Sequence, residues 1–420
     1  MGYEGVRFLD LKNKNVLITG ISGFVGSRMA RRLADGGANV FGLLRRRADG
    51  RMPHNIKRLG LGEEVRLVEG DLESISSIGS AITTSEPDVI FHLAAQSFVP
   101  RSFVDPNETM LCNCWGTSNL LEAIRLKGES PVVVFAGSSE EYGLVISSQE
   151  QYKSAIERYG TIFPVPERIP EVPIAETNPL RPMSPYAVSK VYGDYLMRNY
   201  WYSYGIPTVI SRAFNHEGAG RGNMFVTSVV TNQVMKLKLG ESDSIIIGNV
   251  NAFRDWSHVD DIIDGYLLLT DKGKYGDVYN QGSMRTNSVL SYLLMSLEEA
   301  GYPVSRIETF KGEKAVAEPN EPDRTPIFGL DFDKTKIDGM LLRRELGFAA
   351  EDGGLIAHAG DKKIRIAFDR ERFRPAEVPI LISDTKKIEA LGFKRRYTVR
   401  DIIRDQLDHY LAEQERKGSY

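Results

Sequence analysis

Cysteine is nearly absent from this chain, which has only Cys112 and Cys114 among its 420 residues. Two cysteines cannot build a disulfide framework, and no further cysteine completes a thiolate metal site, so we expect a reducing, cytoplasmic environment. Metal-binding patterns are missing too, because His92, His216 and His258 have no carboxylate or cysteine partner at ligand spacing. We therefore predict that the protein holds no metal.

An excess of basic charge and a long apolar run are also lacking. Lys and Arg number 53 against 56 Asp and Glu, a net charge of −3, which argues against a nucleic-acid binder. No apolar run approaches the roughly 18–20 residues that cross a bilayer, and the N-terminus carries charges where a signal peptide needs apolar residues. We predict that the protein binds neither a nucleic acid nor a membrane.

The chain does contain a regular alternation of short β-branched runs and helical segments. The first half predicts strands at 15–19, 39–44, 65–69, 88–92 and 132–136, and helices at 25–34, 74–84 and 116–126. The second half predicts strands at 208–211 and 278–281, and helices at 185–204, 225–239, 259–270 and 398–414. Strands that alternate with helices form right-handed βαβ units. We predict an α/β fold built on a doubly wound parallel sheet of the Rossmann type.

A glycine-rich turn joins the first strand to the first helix, in the sequence Thr19-Gly20-Ile-Ser-Gly23-Phe-Val-Gly26. Gly20 permits the tight turn, Gly23 lets the backbone approach a pyrophosphate, and Gly26 allows close packing of helix and strand. The N-terminus of the helix, with Phe24 and Val25, then faces the anionic phosphates. The strand–turn–helix context predicts a dinucleotide site.

The end of the second strand favours NADP over NAD, although NAD is not excluded. An NAD enzyme places a carboxylate there for the ribose 2′-hydroxyl, whereas this chain has Arg45, Arg46 and Arg47, which suit a 2′-phosphate. Five further positions after the third and fourth strands also belong to the predicted cofactor site. They are Asp71 and Leu72 beside the adenine, and Leu93, Ala94 and Ala95 where the polypeptide backbone must pass beside the cofactor.

Tyr186 and Lys190 lie four residues apart, on one face of a predicted helix. An ammonium group there favours the phenolate of tyrosine, which makes a base able to take a hydroxyl proton while a hydride leaves the same carbon. Ser138 and Glu140 follow the fifth strand, whose C-terminal end points at the ligand crevice. We predict that Ser138 hydrogen-bonds the reacting oxygen and that Glu140 reaches a neighbouring carbon.

The glycine turn, Ser138, Tyr186 and Lys190 resemble the extended short-chain dehydrogenase/reductase family, whose members modify nucleotide sugars. The triplet 138–140 is similar to the Thr-Ser-Glu of sugar-nucleotide 4,6-dehydratases, with Ser138 replacing the usual Thr. The second half resembles the GDP-mannose 4,6-dehydratases in three phrases: Phe214-Asn215-His216-Glu217 with Arg221 and Val226, Arg254-Asp255-Trp256 with His258, and Arg374-Pro375-Ala376-Glu377.

The resemblance implies a 4,6-dehydratase that converts GDP-mannose, or a similar nucleotide hexose, into the 4-keto-6-deoxy sugar by internal hydride transfer. Tyr186 would accept the C4 hydroxyl proton, and Glu140 would remove the C5 proton and help to expel the C6 hydroxyl. The remaining candidates would bind substrate: Arg221 and Arg254 the pyrophosphate, Asn215 and Ser139 the sugar or phosphate, Arg374 and Glu377 the ribose or sugar ring, and Val226 the guanine.

Other interpretations stay open. The segments 137–143, 181–190 and 276–280 look equally like the GDP-4-keto-6-deoxymannose reductases, and a C4-epimerase shares the same machinery. A non-catalytic NADP-sensing regulator is the fourth possibility, against which the intact Ser138, Tyr186 and Lys190 argue. The family also implies a homodimer or a homotetramer.

The motifs divide the chain into a Rossmann lobe and a smaller, discontinuous α/β substrate-binding lobe. We predict the Rossmann core at 1–212, with an insertion at 145–173, and its return at 251–285. The substrate lobe takes 213–250 and 286–420, with an insertion at 311–372. Both insertions are rich in turn-forming or charged residues.

Overall fold

The computed structural model describes residues 11–46, 48, 50–372 and 380–417. Its strands are β1 (Asn15–Thr19), β2 (Asn39–Leu44), β3 (Val65–Glu69), β4 (Val89–His92), β5 (Val132–Ala136), β6 (Thr208–Ala213), β7 (Asn215–Glu217), β8 (Ser244–Ile247), β9 (Phe253–Arg254), β10 (Trp256–His258), β11 (Val278–Gln281), β12 (Asn287–Ser288), β13 (Val304–Thr309), β14 (Ala315–Ala317), β15 (Gly354–Ala359) and β16 (Lys362–Phe368). Its helices are α1 (Phe24–Asp35), α2 (His54–Arg58), α3 (Ile75–Ser85), α4 (Val99–Val104), α5 (Pro106–Met110), α6 (Gly116–Lys127), α7 (Gln149–Tyr159), α8 (Pro185–Tyr204), α9 (Val226–Lys238), α10 (Val259–Lys272), α11 (Val289–Glu299), α12 (Lys336–Leu342), α13 (Lys386–Glu389) and α14 (Val399–Lys417).

Seven strands of the described residues form one parallel sheet in the order β11-β6-β5-β4-β1-β2-β3. The central strand β1 pairs with β2 on one side, Val16 opposite Val40, and with β4 on the other, Val16 opposite Val89. The chain order reverses between β1 and β4, and this reversal opens a crevice at the carboxyl ends of the strands. The predicted doubly wound α/β class is confirmed.

Alternation along β1 explains why helices cover both faces of this sheet. Successive side chains of a strand point to opposite faces. Val16 and Ile18 are buried with residues of α1 and α10, whereas Leu17 is buried with residues of α3, α6 and α8. Because both faces are covered, the strands are apolar throughout, and this is what made them visible in the sequence.

A second sheet runs in the order β14-β13-β15-β16-β8 and packs its apolar face against α9, α11 and α14. Its pairings are antiparallel, except that β16 and β8 are parallel. The strands β15 and β16 come from 311–372, which the sequence analysis treats as an insertion. The structure shows that the end of this stretch supplies two central strands of the second lobe, so it is not a separate module.

The other stretch, 145–173, contains α7 and is held by an ion pair to the segment that leads into α8. Arg181 forms a buried ion pair with Glu171, with 2.7 Å between Nη2 and Oε1. Arg344 from the 311–372 stretch reaches Glu150 on α7, with 3.1 Å between Nη1 and Oε2. The two stretches therefore contact each other. The residue boundaries of the two lobes stay predictions.

Candidate active site

A cavity of about 1530 Å³ opens at the carboxyl ends of the parallel strands. Most drug-sized ligands need about 300–1,000 Å³, so there is room for a dinucleotide and a second ligand. The predicted site residues that line it come from both lobes. They are Gly20, Gly23, Phe24, Val25, Gly26, Arg45, Arg46, Asp71, Leu72, Leu93, Ala94, Ala95, Ser138, Ser139, Glu140, Tyr186, Lys190, Asn215, Arg221 and Val226.

The glycine turn brings backbone close to backbone at two points where no side chain fits. Gly20 has φ +77°, and a Cβ there would lie 2.8 Å from the Ala94 nitrogen. A Cβ on Gly26 would lie 2.2 Å from the Gly20 oxygen. Asn55 on α2 holds the turn from outside, since its Nδ2 donates to the Ser22 oxygen over 3.0 Å. The glycine turn therefore has the shape that is needed to bind a pyrophosphate at the start of α1.

Two guanidinium groups line the adenosine end of the cavity. Arg45 and Arg46 follow β2, and Arg46 Nε lies 3.8 Å from Glu69 Oε1 at the end of β3. Arg47, the third arginine of the run, lies outside the described residues. Asp71 closes its own turn by accepting a hydrogen bond of 3.0 Å from the Glu73 N–H. The donors at the end of β2 can hold an anionic group of a ligand.

Tyr186 and Lys190 project from the first turns of α8 into the same cavity. Ser184 caps this helix and Pro185 occupies its first position, a combination that favours helix initiation. Burial raises the pKa of Tyr186 to about 12, while a hydrogen bond with Ser138 and the charge of Arg221 both work to lower it. The Tyr–Ser contact thus joins two of the predicted catalytic groups.

Lys190 is fixed at the carboxyl end of β5. Its Nζ donates to the Ala136 oxygen over 2.7 Å and lies 5.9 Å from the centre of the Tyr186 ring. Burial lowers the pKa of Lys190 to about 8, and the charge of Glu141 opposes that shift. The ammonium group therefore lies in a weakly solvated part of the same cavity as the phenol.

Glu140 lies in a 3-10 turn at Ser139–Glu141, and Ser138 caps this turn. We call residues 138–141 the catalytic turn. The Oγ of Ser138 accepts a hydrogen bond of 3.2 Å from the Glu140 N–H. Glu140 and Tyr186 line the same cavity, and the charge of Glu140 raises the pKa of Tyr186. Ser139, which was assigned to substrate, is buried at the wall of the cavity.

The substrate side of the cavity is formed by β7 and the start of α9. Asn215 has a buried Oδ1 for which the described residues supply no hydrogen bond. Arg221 lies with Nε 3.3 Å from Glu217 Oε2 and with its guanidinium carbon 3.5 Å from the centre of the Phe225 ring. Val226 begins α9 at the edge of the same space. These side chains can hold an anionic, hydroxylated ligand.

One predicted substrate residue is not brought to this cavity. Arg254 lies on β9, where its Nη1 donates to the Phe253 oxygen over 2.8 Å, and it is outside the lining of the cavity. The pairing of β9 with β12 holds this backbone in place. Arg374 and Glu377 lie outside the described residues.

Other lining residues were missed by the sequence analysis. His216 is one of them: burial lowers its pKa to about 4, and its Nδ1 lies 2.9 Å from the Phe214 oxygen, which requires a proton on Nδ1. Tyr266 and Asn55 are others, contributed by α10 and α2. No local motif marks Tyr266 or Asn55, because each approaches the cavity only through the packing of distant segments, whereas His216 stands beside Asn215 in the phrase at 214–217.

Across the described ranges, no group of three or more His, Cys, Asp and Glu side chains is arranged to hold a metal ion. His92 instead bridges two hydroxyls, with Nδ1 2.8 Å from Thr19 Oγ1 and Nε2 3.0 Å from Thr117 Oγ1. Within the same ranges, none of the helices has the length and apolar character to span a bilayer.

Comparison with known proteins agrees with this geometry. Residues 16–282 match the model of the NAD dependent epimerase/dehydratase family. The chain belongs to this family. Among curated members, the GDP-mannose 4,6-dehydratase of Yersinia enterocolitica is 30% identical over 94% of this chain and 93% of its own. The enzyme of the same name from Vibrio cholerae is also 30% identical, over 94% and 93%.

A solved structure shows the same epimerase/dehydratase fold. It is that of RMD from Pseudomonas aeruginosa complexed with NADPH, with a TM-score of 0.64 and 22% identity over 95% of this chain and 99% of its own. The resemblance that the motifs indicated is thereby confirmed at the level of the family and of the fold.

Proposed function

We propose that this chain is an NADP-dependent nucleotide-sugar 4,6-dehydratase, which converts GDP-mannose or a similar nucleotide hexose into the 4-keto-6-deoxy sugar. One observation carries the proposal: a dinucleotide cradle, the Tyr186–Lys190 pair and the Glu140 carboxylate converge in one cavity. The curated relatives, which are GDP-mannose 4,6-dehydratases, support it over nearly the whole chain. One water leaves the substrate, and the cofactor is not consumed.

The chemistry at C4 belongs to Tyr186. Its phenolic oxygen takes the proton of the C4 hydroxyl, while Ser138 hydrogen-bonds the same oxygen and the Lys190 ammonium stabilises the phenolate. The bound nicotinamide would supply the hydride acceptor for C4 and return the same hydride to C6. The pKa of Tyr186 is raised to about 12, chiefly by burial, so a cation that stabilises the phenolate favours its action as a base.

The elimination belongs to Glu140. Once C4 is a ketone, the hydrogen on C5 is acidic, and the Glu140 carboxylate removes it. The same group, now protonated, donates to the C6 hydroxyl, which leaves as water. The C5=C6 double bond left behind takes the hydride at C6 and a proton at C5, and Tyr186, protonated in the first step, can return that proton. Its place on the catalytic turn, next to Ser138 and close to Tyr186, supports a position near C5 and C6.

Binding of the nucleotide sugar is assigned to the opposite wall. Arg221 is proposed to bind the pyrophosphate, and Asn215 and Ser139 the sugar or phosphate, with Val226 against the guanine. The unfilled Asn215 Oδ1 supports this, because a buried acceptor is costly until a ligand satisfies it. Arg254, Arg374 and Glu377 remain proposed ligands on the strength of the family pattern alone.

The choice of NADP rests on Arg45 and Arg46 at the end of β2. Replacement of both arginines by alanine should weaken the binding of NADP while leaving the binding of NAD unchanged.

We further propose a cytoplasmic enzyme that forms a homodimer or a homotetramer. The apolar surface of α6 and α8 supports self-association, since the exposed fraction is 58% for Trp115, which precedes α6, and 57% for Tyr195 on α8.

The test is incubation of purified protein with a panel of sugar nucleotides, followed by mass measurement. We expect GDP-mannose to lose the mass of one water without added NADPH. A C4-inverted sugar of unchanged mass would identify an epimerase. Oxidation of NADPH by a 4-keto-6-deoxy sugar nucleotide, with no change in GDP-mannose, would identify a reductase. Binding of NADP with no reaction on any sugar nucleotide would favour a regulator.

A further inference from the structure

A buried ionic cluster lies behind the catalytic turn, and the proposed reaction does not use it. Its members are Glu141, Asp194 and Arg212, whose side chains are 0%, 0% and 2% exposed. Arg212 Nε on β6 lies 3.1 Å from Glu141 Oε2 and 2.9 Å from Asp194 Oδ2. Buried charges contribute little net stability compared with apolar side chains of the same size, so this cluster suits a role in orientation.

Glu141 acts on the backbone of the catalytic turn. Its Oε1 accepts a hydrogen bond of 2.8 Å from the Ser138 N–H, and the Ser138 Oγ accepts from the Glu140 N–H. These bonds fix the two residues that face the reacting carbons. Gly137 leaves the space for this arrangement, since a Cβ there would lie 2.7 Å from Glu141 Oε1.

Asp194 connects the cluster to the helix that carries the catalytic base. It lies on α8, one turn beyond Lys190 and two turns beyond Tyr186, on the same side of the helix. Arg212, in contact with both carboxyl groups, therefore ties the catalytic turn to α8. Arg212 Nη1 also donates to the Tyr142 hydroxyl over 3.1 Å, which anchors the guanidinium at the residue that follows the turn.

The cluster tolerates a neutral Glu141. Burial and the charge of Asp194 raise the pKa of Glu141. A glutamine keeps the shape of the side chain and an oxygen toward Ser138, while its amide nitrogen takes the place of the oxygen that accepts from Arg212 Nε.

We propose that Glu141 is a positioning residue: its carboxyl group, held by Asp194 and Arg212, sets the catalytic turn against α8. The effect on the reaction rests on the proposed function, because it acts through Ser138 and Glu140. The hydrogen bond to the turn does not rest on it and can be measured without turnover.

The central test compares Glu141→Leu with Glu141→Gln. The leucine removes the acceptor for the Ser138 N–H, and we expect kcat to fall about 100-fold, the effect of a displacement near 1 Å, with the KM for the sugar nucleotide unchanged. Amide hydrogen exchange at Ser138 and Glu140 should accelerate in the same variant. The glutamine keeps the acceptor and should restore both kcat and protection.

Glu171 offers a matched control. It too is a buried carboxylate that accepts from an arginine and from a backbone N–H, that of Ile146 over 2.7 Å, but it does not touch the catalytic turn. Glu171→Leu should lower the free energy of unfolding and leave kcat and the exchange of the turn unchanged. A fall in kcat like that of Glu141→Leu would show that any loss of a buried ion pair has this effect, and it would overturn the proposal.

Other results would also decide. Unchanged amide exchange in Glu141→Leu, equal loss of kcat in the leucine and glutamine variants, or a change confined to KM would each overturn the positioning role. Should Glu141→Leu not fold, Glu141→Asp withdraws the oxygen by one methylene and is measured in the same way. If the wild-type protein releases no dehydrated product, the proposed function fails, and exchange at the turn still tests the positioning role.

Discussion

In one half of the cavity the groups that face the ligand are mainly backbone and small side chains, with Arg45 and Arg46 at the end of β2, and in the other half they are buried or half-buried polar and ionisable side chains. The first, the cofactor half, consists of the glycine turn with the ends of β2, β3 and β4. The second, the catalytic half, consists of the catalytic turn, the start of α8, and β7 with the start of α9. The difference teaches that shape governs the first half and charge the second.

The two halves should therefore fail in different ways. A change in the cofactor half should alter affinity and stability, because it disturbs close packing. A change in the catalytic half should alter the rate or the course of the reaction with the fold intact. The predictions below use this contrast.

The largest effect is expected for Tyr186→Phe. Removal of the hydroxyl takes away the base for the C4 proton, and kcat should fall by about 10³-fold, while the melting temperature and the binding of NADP stay close to wild type. Steady-state kinetics and thermal unfolding measure this. An enzyme that keeps most of its activity would contradict the assignment of the base.

Glu140→Gln should come next and should change the course of the reaction. Elimination should slow by about 10²–10³-fold, whereas oxidation at C4 does not need this carboxylate. In a single turnover, the absorbance of reduced nicotinamide should therefore rise and persist. If dehydrated product appears at the wild-type rate, Glu140 is not the acid–base group.

Gly26→Ala tests the cofactor half. The added Cβ would lie 2.2 Å from the Gly20 oxygen, so the turn must shift, at a cost of about 1–3 kcal/mol. The Kd for NADP should rise and the melting temperature should fall, with kcat at saturating cofactor near wild type. Gly347→Ala is the control, since nothing lies within 4 Å of the Cβ it would add. A loss confined to kcat would contradict the predicted difference between the two halves.

Arg45→Ala combined with Arg46→Ala should change the choice of cofactor. Hydrogen bonds to a charged group contribute about 1.5–3 kcal/mol, so affinity for NADP should fall about 10–100-fold. Affinity for NAD should not change, because NAD lacks the 2′-phosphate. Titration of both cofactors measures the ratio, and equal losses for the two would remove the argument for NADP.

The smallest expected effect is a pH dependence of stability from Lys190. Its pKa is about 8 in the folded protein against 10.5 in the unfolded chain, so between these values the unfolded chain binds more protons. The free energy of unfolding should therefore rise with pH across this window, by at most about 3 kcal/mol. Urea unfolding of wild type and Lys190→Met isolates the contribution: the rise should be missing in the variant. An identical pH profile for the two proteins would show that Lys190 is solvated.

How much could be predicted from the sequence follows the same division. The glycine turn and the pair Tyr186 and Lys190 are encoded within a few residues, so their spacing alone brings them together. The cluster of Glu141 with Arg212 was missed, because the two are 71 positions apart and meet only through the sheet. Arg254 was assigned to the pyrophosphate as part of the family pattern, and in the structure it lies on β9, outside the lining of the cavity.

The second lobe shows the same limit. Its strands β15 and β16 were read as part of an insertion, since glycine and charge dominate that stretch. A signal was present in the alternation of charged and apolar residues at Lys363, Ile364, Arg365 and Ile366, which is typical of a strand with one buried face. β15 pairs with β13, and β16 pairs with β8. These partners are distant in the chain, and no local pattern specifies the pairing.

Internal transfer of hydride from C4 to C6 is the central claim, and one labelled substrate tests it most directly. GDP-mannose carrying deuterium at C4 is converted by the purified protein, and the product is examined for the position of the label. The account predicts a dehydrated product with deuterium at C6 and no label on the released cofactor. Deuterium retained at C4, or found on the nicotinamide, would contradict it.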